Sequence, residues 1–531
     1  MKEKKKFVCS LISSVMIFSL ALPLLSSVVE ASPVTEIRDW HELHAIRDNL
    51  GGHYLLMNDL DATTAGYQEL ASPTANQSKG WEPIGIYQPG GSFDPFIGTF
   101  DGQGYEIKDF FVARPEESGV GLFGAVVASV EGGVIENVSV VNANVTGDSG
   151  VGGLVGLNGG TVSNSYCTGN VTGESRVGGL VGLNTDIVSD SSSSGSVTGY
   201  SLLVGGLIGY NTGNVSNSYS GARVTGGLGV GGLVGGNEGT VSNSHSSSGV
   251  AGDDYVGGLV GHNWDGTVSN CYSSGNVTGD SRVGGLVGYN DYWGTVATSY
   301  ASGSVTGDGS VGGLVGYNRG TVSNCYSSGN VTGDSRVGGL VGENDDIVTN
   351  SFWDRETSGM QVSDGGMGKT TVEMQDMATF LVVGWDIYAV AHGETDDAYA
   401  WNIIDGESYP FLSGKSPSEY DLTISGTAGG SVAVPGEGVY TYHAGAVVDL
   451  VGEPEEGYRF VNWSGDVDTI ADVNAAATTI TMQGNYTITA NFERPVNRAL
   501  IGGIVAAVVV AGLVVLFMLR RRRRVAGTKG R

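Results

Sequence analysis

Two short stretches hold residue types that could do chemistry on their own. DGGMGKTT at 364–371 sets glycines beside a lysine, the materials of a loop that cradles phosphate with backbone amides and an ammonium. GxxxxGK[ST] spacing needs a glycine at 363, where Ser363 stands. No βαβ unit surrounds the stretch, so a loop leading into a short helix over TVEMQDMATF is expected. HELHA at 41–45 comes close to the zinc motif HExxH, which sets two histidines four apart on one helical face. Here His41 and His44 are three apart, Ala45 takes the required place, and no third ligand is evident. A capping helix is the expectation.

Carboxylates and aromatics are the remaining candidates. Paired acids could serve glycoside or lyase chemistry. Asp148, Glu174, Asp253, Asp280, Asp308 and Asp334 follow TG or its equivalent, which makes a stripe in successive turns rather than a pocket. Such an edge suits weak calcium binding at most, and no cofactor is expected. The aromatics Tyr210, His262, Trp264, Tyr289, Tyr292, Trp293 and Tyr317 fall at or just after one varying position, a pattern suited to a glycan or a partner surface.

What positions all of these is a repeat. VGGL[VI]GxN begins at 151, 177, 204, 230, 256, 283, 311 and 337, with a divergent copy at 119–124. Each unit offers three short β-prone pieces, VGGLVG, TVSNSYS and GNVTG, punctuated by Gly, Asn and Asp. None can bury a core alone. Stacking them as one coil per unit puts equivalent residues about 4.8 Å apart, and a parallel β-solenoid of about 26 residues per coil follows. A propeller blade needs about 40 residues, too many for this period.

The columns then have roles. Leu154 and Leu180 head an inward leucine column. Asn158 and Asn184 head an asparagine ladder that satisfies turn backbones by stacking amides. Tyr166, Ser192, Tyr219, His245, Tyr272, Tyr300, Tyr326 and Phe352 form an aromatic column. The position occupied by Leu157, Leu183, Tyr210, Gly236, His262, Tyr289, Tyr317 and Glu343 varies and is expected to face outward, forming a binding stripe around the coils of 256–317. Cys271 and Cys325 share a column two coils apart, roughly 9–10 Å, beyond disulfide reach. Cys167 lies in another column.

Composition bounds the location. The net charge is −28, and once 1–31 and everything beyond 498 are set aside, 16 basic residues face 53 acids. That charge repels phosphate backbones, so no nucleic-acid partner is expected. MKEKKK followed by an apolar run reads as a secretory signal over 1–31. Residues 499–519 are uncharged and long enough to span a bilayer, and the arginines at 520–524 place a basic tail, 520–531, inside. Sequons at Asn144, Asn170, Asn214, Asn276 and Asn330 follow from the repeating NVTG and related turns.

The flanks complete the organisation. Residues 32–150 are read as a capping helix with irregular first coils. In DWHELHAIRDNLGG at 39–52, Asp39 caps the helix, Glu42 closes a capping box and Gly51 ends it. Residues 151–353 form the regular solenoid, 354–415 its C-terminal cap, and 420–494 a separate small β domain with alternating strands such as DLTISGTAGGSVAV and GYRFVNWSG.

GGLVG at this spacing over about 119–344 resembles the GLUG-motif repeat family. FIGTFDGQGYEI before it, and SFWDRETSGM and GMGKTT after it, are similar to segments that accompany such repeats. GYRFVNWSGD and ITMQGNYTITANF resemble the divergent internalin B-repeat. The resemblance implies an exported or surface protein, in some members a large adhesin or a chain ahead of a peptidase domain, and carries no catalytic residue or ligand. The expectation is an all-β chain: a parallel β-helix, a small β domain and one C-terminal transmembrane helix. Its function is non-catalytic adhesion, ligand display or envelope architecture at the cell membrane, with an extracellular glycan or surface protein as partner. The alternative is a polysaccharide-active β-helix enzyme, a lyase or glycoside hydrolase.

Overall fold

The computed structural model describes residues 33–494 except 88–92, 131, 392, 414–418, 444–446, 468 and 483–485, together with Leu513, Val515, Leu516 and Met518. The expected signal segment, nearly all of the expected transmembrane helix at 499–519 and the tail at 520–531 lie outside the described residues. Among the described residues no helix is long and apolar enough to cross a membrane.

The repeats stack as a parallel β-solenoid of about eight turns, near 26 residues per coil. Three faces enclose one core. The first face is a row of twelve strands running from Val34–Ile37 through Thr161–Ser163 to Ile347–Thr349. The second holds nine, from Phe123–Val127 through Val155–Gly159 to Val341–Asn344. The third carries the aromatic column and is paired coil to coil, as in Tyr166–Gly178 against Ser192–Gly205. Register between coils is one repeat, so Val155 pairs with Val181 and Thr161 with Ile187.

Local chemistry explains the coil. Each face alternates in and out, and the inward valines, among them Val151, Val155, Val162 and Val171, are buried. Leu154, Leu180 and their equivalents to Leu340 are fully buried, each a contribution of about 1.5–3 kcal/mol. The glycines beside them answer to close approach rather than to turns: a Cβ on Gly178 would lie 2.0 Å from the Val181 carbonyl oxygen. The corner after the first face is left-handed at Asn164, Asp190, Asn217, Asn243 and Asn270, φ 47 to 54°, a conformation that short polar side chains tolerate.

The asparagine ladder forms as expected. Asn158 Nδ2 donates to Asn184 Oδ1 at 2.7 Å, and the pattern continues through Asn211, Asn237, Asn263, Asn290 and Asn318 to Asn344 at 2.7–2.8 Å. The aromatic column also forms. Tyr219, His245, Tyr272, Tyr300 and Tyr326 stack with centroids 4.7–5.2 Å apart.

At the N-terminal end, Trp40, Leu43 and Ile46 are buried in the same core as Trp81, Phe96 and Phe100. The helix is shorter than the sequence suggested. It spans Trp40–Ala45 and passes into a 3-10 turn, Ile46–Asp48, before Gly51. Asp39 caps it by accepting from the Glu42 N–H. The expected capping box is not closed, because the Glu42 carboxylate accepts instead from the Arg38 N–H at 2.6 Å.

At the other end, short helices Thr371–Met374 and Met377–Leu381 and strands Ile387–Ala389, Trp401–Ile403 and Phe411–Leu412 pack onto the third face. Trp401 lies against Tyr300 and Tyr326, and Tyr409 stacks on Tyr326 at 6.0 Å. The small domain folds as a four-stranded and a three-stranded sheet around Leu422, Leu450, Trp463, Ile480 and Ile488.

Candidate functional site

The varying position lies on the second face, one residue before the asparagine ladder. Alternation aims it away from the core, yet the structure buries two of the seven residues of the expected stripe. His262 and Tyr289 are each only 6 % exposed. Tyr210, Trp264 and Tyr317 are half-buried, while Tyr292 and Trp293 are 55 % and 76 % exposed. The expectation of an exposed stripe therefore fails at His262 and Tyr289.

The reason is the neighbouring rows. The repeat step grows to 27 residues at 256–283 and to 28 at 283–311, and the added residues enter the turns after the ladder. Trp264 folds back over Gly236, where a Cβ would meet the indole at 2.6 Å. It packs on His262, centroids 3.8 Å apart. From the other side comes Tyr255, in a left-handed corner at φ 55°, 4.8 Å from His262 and 5.2 Å from Tyr289. Tyr289 in turn stacks on Tyr317 at 5.2 Å.

Charged groups tie this array down. Arg282 donates to Asp254 at 2.7 Å and to the Tyr255 hydroxyl at 3.0 Å, with its guanidinium 4.4 Å over the Tyr255 ring. Arg319 donates to the Tyr289 hydroxyl at 3.2 Å and covers Tyr292 at 3.7 Å. Tyr289 and Tyr317 donate to Asp291 and Asp345, and Arg336 and Ser310 both reach Glu343. Burial, joined by neighbouring carboxylates, raises the phenols of Tyr210, Tyr289 and Tyr317. Burial pushes the His262 imidazole down to about 4, against the pull of Asp291. Asp291 is 3.8 Å from Nε2, too far for a hydrogen bond, and among the described residues Nε2 has no hydrogen-bond partner.

This arrangement is suited to recognition rather than bond-breaking. The stacked rings use their faces on one another and on arginines, and the hydroxyls of Tyr255, Tyr289 and Tyr317 are bonded to neighbouring charged groups. Trp293, in the longest turn, presents an open aromatic surface. The Tyr292 ring lies 6.5 Å from it, centroid to centroid.

The other candidates are placed plainly. Lys369 lies in the strand Met367–Lys369, and Thr370 caps the next helix in a capping box with Glu373. His41 is exposed and bonds Glu69 at 2.8 Å, which raises its pKa. Glu174, Asp253, Asp280, Asp308 and Asp334 are exposed at one corner. Among the described residues no group of three or more His, Cys, Asp or Glu is arranged to hold a metal ion. Cys167, Cys271 and Cys325 are free and buried.

Sequence reasoning passed over the residue before each VGG. Read as a column, Gly150, Arg176, Leu203, Gly229, Tyr255, Arg282, Ser310 and Arg336 all share positive φ, 51 to 71°, and it supplies Tyr255 and Arg282. The signal was the restriction to that one position of residues as unlike as Tyr, Arg and Gly. A second feature left no sequence signal: a groove between the third face and the C-terminal cap, lined by residues from both.

Comparison with known proteins accords with this architecture. The GLUG motif is present at 173–198, 200–225, 252–278, 279–306 and 307–332, and a divergent InlB B-repeat domain at 420–495. Over 116 residues, 22 % of the chain and 1 % of the relative, the sequence is 39 % identical to halomucin of Haloquadratum walsbyi. Over 127 residues, 23 % of the chain and 13 % of the relative, it is 35 % identical to a candidate Gly-rich membrane protein of Evansella cellulosilytica. The match thus spans a small part of either relative. Among solved structures, a candidate immunoglobulin A1 protease from Bacteroides ovatus aligns over 72 % of this chain and 92 % of its own at 20 % identity and a TM-score of 0.33. An IgA1 protease aligns over 65 % and 24 % at 16 % identity and 0.31. Scores this low carry no argument, and the protease activity is that of those proteins.

Proposed function

We propose that this chain is a non-catalytic cell-surface repeat protein, held at the membrane by 499–519, whose solenoid presents recognition groups for adhesion or ligand display. The observation that carries the reading is the turn at 291–294, where the longest repeat step sets Trp293 out from a rigid, cross-braced face. A rigid scaffold with an exposed aromatic at a loop tip is a recognition arrangement. Acids and bases beside the array are committed to one another, as with Asp254 and Arg282, which favours binding over catalysis. Repeats shared with a membrane protein and with halomucin support the location.

Intact cells carrying the full chain test both halves. Surface labelling should detect the solenoid outside the membrane, and loss of labelling would overturn the location. On a glycan and extracellular-protein array, Tyr292→Ala with Trp293→Ala should weaken adhesion about tenfold or more with an unchanged melting temperature. Equal adhesion by wild type and variant would remove the turn from the recognition role.

A further inference from the structure

The third face is not covered evenly. The C-terminal cap sits on the coils of Tyr300, Tyr326 and Phe352, with Trp385 donating to the Asn350 carbonyl at 2.8 Å. It then overhangs the coils before them. Beneath the overhang lies a groove of about 610 Å³, within the range of ligand sites. One wall is the left-handed corner column, Asn217, Asn243 and Asn270. The other is Asp386, Asp397 and Tyr399.

The left-handed corner is asparagine in most coils, with Asp190 and Thr298 the exceptions, and the partners of these side chains differ. Asn137 donates to Asp101 at 2.9 Å and Asn217 to Asp190 at 3.2 Å. In each case an acid one coil earlier takes up the amide. Asn243 and Asn270 stand next to asparagines, and among the described residues their exposed amides have no protein hydrogen-bond partner. They repeat about 4.8 Å apart along the axis. Facing them are two carboxylates and a tyrosine whose ring stacks on Tyr388 at 4.8 Å. Among the described residues no basic side chain lines the groove.

We propose that this groove binds a neutral, hydroxyl-rich oligosaccharide lying along the solenoid axis. Amides both donate and accept, carboxylates accept, and together they match hydroxyl groups, which do both. The amide repeat of one per coil suits a polymer better than a compact ligand. The two carboxylates disfavour anionic saccharides. A basic peptide would satisfy the carboxylates but leave the amide row unused. The site lies on a different face from Trp293, and its assignment rests on the display reading in requiring a glycan outside the cell.

The test uses the full chain on intact cells, with soluble neutral β- and α-linked oligosaccharides, acidic oligosaccharides and an oligolysine peptide as probes. Asn243→Gly with Asn270→Gly removes both amides and keeps the left-handed corners, since glycine adopts them freely. Wild type should bind a neutral oligosaccharide, the double variant about tenfold or more weakly, and Trp293→Ala as wild type. A second variant, Tyr399→Ala, should weaken binding without touching the coils. Binding of oligolysine alone, no binding of neutral saccharides, or equal binding by both asparagine forms overturns the proposal. Surface labelling on the same cells separates the two readings: labelled cells that bind no saccharide defeat the groove and leave the display reading intact.

Discussion

Residues 183 and 184 are neighbours in sequence and opposites in role. Leu183 is half-buried on the outward side of the second face, in a column that also holds Tyr, Gly, His and Glu. Asn184 is fully buried, in a column that holds asparagine in all eight coils. Its amide accepts from Asn158 and donates to Asn211, both at 2.7 Å, and to the Asp186 carbonyl at 3.1 Å. Uniformity marks the column whose partner is its own copy in the next coil. Variety marks the column whose partners come from turns and corners that change.

The sharpest way to break this contrast is to truncate both. Asn184→Ala deletes three buried hydrogen bonds at once, to Asn158, Asn211 and the Asp186 carbonyl, and opens a gap in the ladder. Each of these groups keeps another partner, Ile187, Gly213 and Asn214 respectively. The expected loss is about 3 kcal/mol or more, read as a clear fall in melting temperature. Leu183→Ala should cost less than about 1 kcal/mol, since it removes a half-exposed side chain from no network. Equal losses would mean that the inner ladder is not the main support of its corner.

The outer array has one inner-like member. His262 sits among Tyr255, Trp264 and Tyr289, with Arg282 and Asp291 as its charged neighbours. In the unfolded chain its ring takes a proton near pH 6.5; in the fold it does so only near 4. Between those values the unfolded chain holds the extra proton, so stability falls as pH drops from about 6.5 to about 4. The total is roughly 3 kcal/mol, and above pH 6.5 the ring contributes no dependence. In His262→Leu that acid limb should flatten. An unchanged limb would return His262 to the solvated column the sequence suggested.

That suggestion shows where reading the chain alone succeeds. The solenoid, its period, the leucine and asparagine columns and the aromatic stack follow from identical letters at a fixed step, because identical coils force identical neighbours. The burial of His262 and Tyr289 does not follow. It depends on Trp264 folding back over a glycine one coil away and on Tyr255 arriving from a left-handed corner, and neither is local to the column. The groove at Asn243 and Asn270 is further still from the letters, since its second wall comes from residues more than a hundred positions downstream. The capping box failed on a smaller scale: the Glu42 carboxylate takes the N–H of Arg38, one residue before the N-cap.

The smallest expected effect tests the comparison from the side of uniformity. One residue after each left-handed corner of the first face runs a buried column of hydroxyls. Ser165, Ser191, Ser218, Ser244, Ser299 and Ser351 each donate to the carbonyl two residues back at 2.7–2.8 Å. They also accept the backbone N–H of the coil before, as Ser191 does from Ser165. Cys271 and Cys325 fill the two remaining places. Their thiols donate to Ser269 and Ser323 carbonyls at 3.1 Å and accept from the Ser244 and Ser299 backbones. The sulfur therefore stands in for a hydroxyl, and burial holds both thiols up to about 12, far from reactive thiolate. Cys271→Ser trades a little apolar burial for stronger hydrogen bonds in a site already shaped for serine. The expected change is within about 1 kcal/mol, with folded protein inert to thiol reagents before and after. A loss of several kcal/mol would show that the column is not uniform after all, and that sulfur holds packing a serine cannot replace.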